Sequence, residues 1–278
     1  MATDLLWKVK EGTKVKLKDY DPGYIDDMTD RALAATLLEK LDDELNELQE
    51  MMAAAQHQAL LVILQGMDTS GKDGTIRHVL SRVNPQGCIV HAFKEPTQEE
   101  LAHDFLWRIH KAVPAGGVLG VFNRSQYEDV LVVRVHNLVP KDVWSRRYKE
   151  INNFEKSLAS NSTIILKFFL YISKDEQERR LLAREQDKDK AWKIDASDWV
   201  ERQYWDDYQQ AYEDALTNCS TEEAPWYIVP ANHKWYRNLA IAQTLVDTMR
   251  QYKSEWKAQL EERGKKQLEA LRKMREAK

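Results

Sequence analysis

The chain has 278 residues, 43% hydrophobic and 31% charged, enough apolar material for the core of one large α/β domain or two small ones. A formal net charge of -4 excludes a globally basic surface, so any site for a polyanion must be local. Two cysteines, Cys88 and Cys219, stand far apart without metal-ligand spacing and read as buried structural thiols.

Residues 1–29 are mixed and turn-prone, with alternating lysines before the turn Asp21-Pro22-Gly23. They show no signal-peptide pattern, and no run of the chain is long enough to span a bilayer, so the expected location is the cytoplasm. From Asp30 to about Met52, leucines recur at helical spacing, predicting an amphipathic helix whose stripe faces a core or a subunit interface. The apolar run Ala59–Gln65 reads as a strand, and Thr75–Leu80 as the helix that follows it. Further strands are predicted at Cys88–Phe93, Gly117–Phe122, Thr163–Tyr171 and Trp226–Val229, with helices at Gln98–Val113 and Lys141–Ser160. The charged stretch Ser173–Trp192 reads as a helix and a polar turn. Gln251–Lys278 reads as a solvated basic helix with Trp256, Leu260, Leu268 and Leu271 on one side. Strands alternating with helices predict a parallel sheet covered on both faces, with ligands at the carboxyl ends of its strands. The expected organisation is a single domain with three parts. They are an extension and helix over 1–56, a core over 57–250 with a lid at about 173–200, and a terminal helix over 251–278.

Between the first long strand and its helix lies Gly66-Met67-Asp68-Thr69-Ser70-Gly71-Lys72-Asp73-Gly74-Thr75. A glycine-bracketed loop with a lysine, placed between a strand and a helix, is the setting of a phosphate cradle. The glycines let backbone N–H groups curl around an anion, and the helix start adds its positive dipole end. Gly66, Met67, Thr69, Ser70, Gly71, Asp73, Gly74 and Thr75 are therefore the expected phosphate-binding loop around Lys72. An ordinary P-loop has Ser or Thr after the lysine. This chain has Asp73 there and a second acid, Asp68, within the loop. Two carboxylates in such a cradle repel phosphate unless metal ions stand between them.

A second constellation follows Gly117–Phe122, namely Asn123-Arg124-Ser125-Gln126-Tyr127-Glu128-Asp129. The planar fork of Arg124 suits the oxygens of a transferring phosphoryl group. Glu128 and Asp129 are candidates to complete a metal shell.

The loop pattern G-x-D-x-x-G-K-D-G and the run Phe122–Leu131 together resemble the polyphosphate kinase 2 family. The likeness extends from about Leu60 to Asn238. It includes Lys94-Glu95-Pro96-Thr97, the strand Leu166–Leu170 leading to Arg179-Arg180, and Ala224-Pro225-Trp226-Tyr227. Tyr127–Leu131 is similar to the third class of that family, whose members phosphorylate both AMP and ADP. The resemblance implies a P-loop kinase-like three-layer α/β/α sandwich with a central parallel sheet and a helical lid. It implies reversible, direct in-line transfer of a terminal phosphoryl group from inorganic polyphosphate to adenine nucleotides, with guanine nucleotides left open. Mg2+ is the implied cofactor, with Mn2+ as a substitute, and the implied assembly is a homodimer or homotetramer with no nucleic acid or membrane partner.

On that resemblance Asp68, Lys72, Arg124 and Glu128 are the catalytic group, and Lys72 bridges the donor phosphate and the phosphoryl in flight. Asp68, Asp73 and Glu128 hold one or two Mg2+. Arg179, Arg180 and Arg184 close over the phosphates from the lid. Lys94, Arg108, Asn123 and Tyr127 are acceptor-side candidates, and Arg77, Arg82, Lys193, Lys234 and Arg237 line a channel for the distant donor chain.

Other readings remain open at this point. An ATP-dependent nucleotide kinase of the thymidylate-kinase type needs a base-binding loop, and 230–237 is basic and aromatic enough to serve. A P-loop regulatory NTPase is argued against by Arg124, the lid arginines and Asp73. Nucleic-acid binding lacks a groove-reading motif. None of the histidines has a base-orienting partner in sequence, which disfavours a phosphohistidine intermediate.

Overall fold

The computed structural model describes residues 5–186 and 196–276. Its centre is a six-stranded sheet in the order β1-β6-β5-β2-β4-β3. These strands are β1 (Trp7–Lys8), β2 (Ala59–Gln65), β3 (Cys88–Ala92), β4 (Leu119–Asn123), β5 (Thr163–Tyr171) and β6 (Trp226–Pro230). The pairs β3–β4, β4–β2, β2–β5 and β5–β6 run parallel, and β1 alone is antiparallel, at the edge beside β6. The expected parallel sheet is present. The two-residue β1 was not anticipated, because it is too short to carry a periodic pattern.

β2 is buried along its whole length, which is why its sequence is continuously apolar instead of alternating. The chain passes from β2 to β3 on one side, returns to β4 beside β2, and only then crosses to β5 on the other flank. That switch leaves a crevice at the carboxyl end of β2. Leu64 stands opposite both Asn123 of β4 and Phe168 of β5, so the loops after β2 and β4 emerge side by side.

Helices cover both faces of the sheet. α1 (Arg31–Ala55) starts where the Asp30 carboxylate accepts a hydrogen bond from the Leu33 N–H, and α2 (Lys72–Val79) continues the P-loop. The region expected as one helix over Gln98–Val113 is instead α3 (Gln98–Leu101) and α4 (Trp107–His110). Asp104 causes the break: its carboxylate and carbonyl accept from the N–H groups of Leu106 and Trp107, which offers the backbone a turn in place of helix.

After α5 (Val132–Val135), α6 (Lys141–Ser160) has the expected bounds. α7 (Lys174–Gln186), α8 (Ala196–Glu201) and α9 (Trp205–Cys219) lie between β5 and β6. The rest of the expected lid, 187–195 with Lys193, lies outside the described residues. α10 (Lys234–Arg250) packs on α1, as does the start of α11 (Lys253–Glu276). Trp256 is buried and donates its indole N–H to Gln58 Oε1 at 2.6 Å, whereas Leu268, Leu271 and Met274 are exposed. No helix of the described residues is long and apolar enough to cross a membrane.

Candidate active site

The P-loop turns back on itself through Gly66 (φ 152°) and Gly71 (φ 105°), both of which glycine alone adopts without strain. A side chain at Gly71 would also collide with Arg237, whose Nη1 lies 1.9 Å from the place of a Cβ. Inside the loop Lys72 donates to the carbonyls of Gly66 at 2.7 Å and Met67 at 3.3 Å. Burial, reinforced by the neighbouring charge of Arg124, pushes its ammonium down to about 8 against the pull of Asp68, Glu128 and Asp73. The hydroxyls of Thr69, Ser70 and Thr75 are buried and find no hydrogen-bond partner among the described residues. Such groups mark a place that a polar ligand completes.

Arg124 crosses from β4 to meet this loop. Its backbone is left-handed, with φ 63°, and its N–H donates to Leu64 O at 3.1 Å. The guanidinium donates to Asp68 Oδ1 at 2.8 Å and to Glu128 Oε2 at 3.2 Å, and Glu128 is the chief cause of its raised pKa. Asp73 instead accepts from Asn123 Nδ2 at 2.7 Å. The three acids expected to share metal therefore do not converge, and no group of three His, Cys, Asp or Glu among the described residues does. The physical reason is Arg124: it occupies the space between Asp68 and Glu128 and satisfies both.

A cavity of about 750 Å³ opens over the loop. Among the described residues eight lysines and arginines line it, with Asp68 and Asp73 as the two acids. Asn123 and the α7 residues Arg179, Arg180 and Arg184 face it, as do Lys234 and Arg237. Sequence reasoning missed Arg31, at the first turn of α1, and Asn238. No motif marks Arg31, and it reaches the cavity because α1 packs along α10. A second cavity, of about 20 Å³, lies beyond Arg124, between Glu128, Glu201, Tyr208 and Tyr212, with room for about one water molecule.

Several expected ligands stand elsewhere. Tyr127 is fully buried and donates its phenol O–H to Glu155 at 2.8 Å, so it packs behind the turn and away from both cavities. Arg108 is buried against Phe93 and donates to the Lys94 carbonyl at 2.8 Å, and neither Arg108 nor Lys94 reaches the main cavity. Arg82 pairs with Asp43 of α1, and Arg77 is exposed outside the cavity.

Arg180 reaches the cavity wall but has no donor left for phosphate. It donates to Glu176 Oε1 at 2.5 Å, to the carbonyls of Thr69 and Ser70 at 2.8 and 3.1 Å, and to those of Ala231 and Asn232 at 2.6 and 2.9 Å. A guanidinium has five N–H donors, and all five are used. Arg237 braces the loop in the same way, donating to Ser70 O at 3.2 Å and to Asn238 Oδ1. Burial and the charge of Arg180 push its pKa down to about 9. Together they hold the crest of the P-loop by its carbonyls. Among the described residues Arg179 and Arg184 are held by acids alone, Glu176 and Asp198.

Known proteins place this arrangement in a family. The model of "Polyphosphate kinase 2 (PPK2)" matches residues 28–257. An AMP/ADP-polyphosphate phosphotransferase of Meiothermus ruber is 49% identical over 247 residues, covering 87% of this chain and 91% of that one. An ADP-polyphosphate phosphotransferase of Rhodopseudomonas palustris is 47% identical over 263 residues, covering 89% and 90%. The crystal structure of polyphosphate kinase 2 from Arthrobacter aurescens superposes with a TM-score of 0.84 at 48% identity, covering 87% of each chain. With its P-loop, sheet order and basic cavity, the chain belongs to the polyphosphate kinase 2 family.

Proposed function

We propose that the protein transfers the terminal phosphoryl group of inorganic polyphosphate to AMP and ADP, giving ADP and ATP, in a reversible, Mg2+-dependent, in-line reaction. The observation that carries this reading is the lining of the main cavity: among the described residues eight basic side chains face two acids, and Trp235 is the one large aromatic. A repeating polyanion matches such a lining along its whole length. An adenosine donor calls for an apolar slot, which disfavours the ATP-dependent alternative.

The acceptor's attacking oxygen is ionised at neutral pH, so the transfer needs no general base. The barrier is the approach of two anions, and positioned cations lower it. Lys72 supplies a charge beside the donor's end. Arg124 stands at the wall between the two cavities, where it can exchange Asp68 and Glu128 for phosphoryl oxygens. Asp68 and Asp73 fit a Mg2+ site, because this ion at phosphoryl-transfer sites takes one or two carboxylates together with phosphate oxygens and water. Bound there, Mg2+ supplies the charge that lets two carboxylates share a cavity with phosphate.

The test is transfer to AMP and ADP with polyphosphate and ATP as competing donors, with and without a chelator. Preference for ATP, or undiminished transfer in excess chelator, would contradict the proposal.

A further inference from the structure

Lys167 is the one charged residue in the sequence of β5, and it is 0% exposed. Its three N–H donors go to Glu155 Oε2 at 2.5 Å, Tyr127 Oη at 2.8 Å and the Cys219 carbonyl at 2.5 Å. Glu155, on α6, is equally buried; its Oε1 accepts from Gln126 Nε2 at 2.9 Å and from the Tyr127 phenol at 2.8 Å. The Tyr127 ring packs edge-on against Trp226. Every donor of the lysine is satisfied inside the protein.

Burying such a pair is poor economy for stability, since two apolar side chains of the same volume do as well or better. What the pair does hold is specific. Ser125, Gln126 and Tyr127, all 0% exposed, form the inward side of the turn after β4. Gln126 and Tyr127 end on Glu155, and Ser125 Oγ accepts from Gln65 Nε2 of β2 at 3.0 Å. The outward side of the same turn is Arg124 and Glu128. Arg124 occupies a left-handed conformation, which persists in a non-glycine residue only where surrounding contacts impose it. The Cys219 carbonyl ends α9, the helix that carries Tyr208 and Tyr212 to the far side of Glu128. A cation at that carbonyl also suits the negative end of the helix.

We infer that Lys167 and Glu155 are positioning residues, a buried anchor that fixes Arg124 and Glu128 from behind by holding the turn and the end of α9 in one register. The inference rests on the proposed phosphoryl transfer for its kinetic consequence and on the turn alone for its structural one.

The double variant Lys167→Met/Glu155→Leu removes both charges at similar volume. The ion pair itself is dispensable for stability, but the variant leaves the Gln126 amide, the Tyr127 phenol and the Cys219 carbonyl unpaired, so it is expected to stay folded with a lower unfolding temperature. Its kcat for polyphosphate-dependent transfer should be lower by about tenfold, as misplacement of a catalytic group predicts. KM for polyphosphate should stay within about twofold, because the P-loop is untouched. Phenylglyoxal labelling of Arg124, followed by mass spectrometry, should accelerate as the guanidinium leaves its two carboxylates. Tyr127→Phe keeps the ion pair and cuts one link to the turn; it should show the same changes, smaller.

A double variant with wild-type kcat and labelling overturns the anchor, as does one that does not fold, or a Tyr127→Phe protein identical to wild type. Should the wild type itself show no polyphosphate-dependent transfer, the proposed function fails, and the labelling arm still decides the anchor.

Discussion

Two pairs of arginines face the same cavity and are held in opposite ways. Arg180 and Arg237 are buried and grip backbone carbonyls of the P-loop, whereas among the described residues Arg179 and Arg184 meet the carboxylates of Glu176 and Asp198 and no backbone carbonyl. Arg179 has 73% of its side chain exposed, against 8% for Arg180. Proximity to a cavity therefore does not make a ligand; the donors left over after folding do. The braced pair shapes the cradle, and the acid-held pair is free to trade a carboxylate for phosphate.

The contrast can be broken most severely at the cradle itself. Lys72→Met should lower kcat by about 10^3-fold, the scale for losing one preorganised charge at a transition state, with the fold retained. A loss below tenfold, measured by single-turnover transfer to AMP, would remove Lys72 from the chemistry. Arg180→Met comes next. It takes one of two arginine partners from the buried Glu176, which keeps Arg179, and removes the arginine donor of the Thr69, Ala231 and Asn232 carbonyls, so urea unfolding should show a loss of about 3 kcal/mol. An Arg180→Met protein as stable as wild type would erase the distinction between bracing and binding.

A smaller effect is expected from pH. With its pKa pushed down to about 8, Lys72 is charged below that pH and neutral above it. Polyphosphate favours the charged form, so binding to the metal-free protein should weaken above about pH 8, by up to about tenfold per unit, and take up a proton there. Calorimetric titration at pH 7 and 9 measures this, and equal affinities would show that the buried lysine does not sense the anion. Least disruptive is Arg179→Ala, which should leave stability within about 0.5 kcal/mol and raise KM for polyphosphate by about threefold, with a weaker salt dependence. A stability loss comparable with that of Arg180→Met would merge the two pairs.

Much of the fold was legible because its signals are local. The five parallel strands and the long helices α1 and α6 follow from apolar periodicity, and the P-loop from glycine spacing before a helix. The helix expected over Gln98–Val113 failed on one residue, Asp104, whose local hydrogen bonds compete with the helix more strongly than periodicity reveals. The candidate site was legible in part, and the turn after β4 shows why. Arg124 and Glu128 face the cavities while Tyr127, between them, is buried, and adjacency in a motif does not say which side of a tight turn a residue takes.

The sequence by itself determined the chemistry on offer: a glycine loop that can take φ 105° at Gly71, a lysine within it, and two aspartates that exclude an ordinary P-loop. Tertiary structure decided how that chemistry is apportioned. Packing of α10 and α7 against the loop turned Arg237 and Arg180 into braces, packing of α1 along α10 delivered Arg31, and the register of β2 against β4 set Arg124 between Asp68 and Glu128. Those outcomes depend on contacts between residues separated by 50 to 200 positions, and on how many N–H donors each guanidinium has left once the backbone has claimed its share.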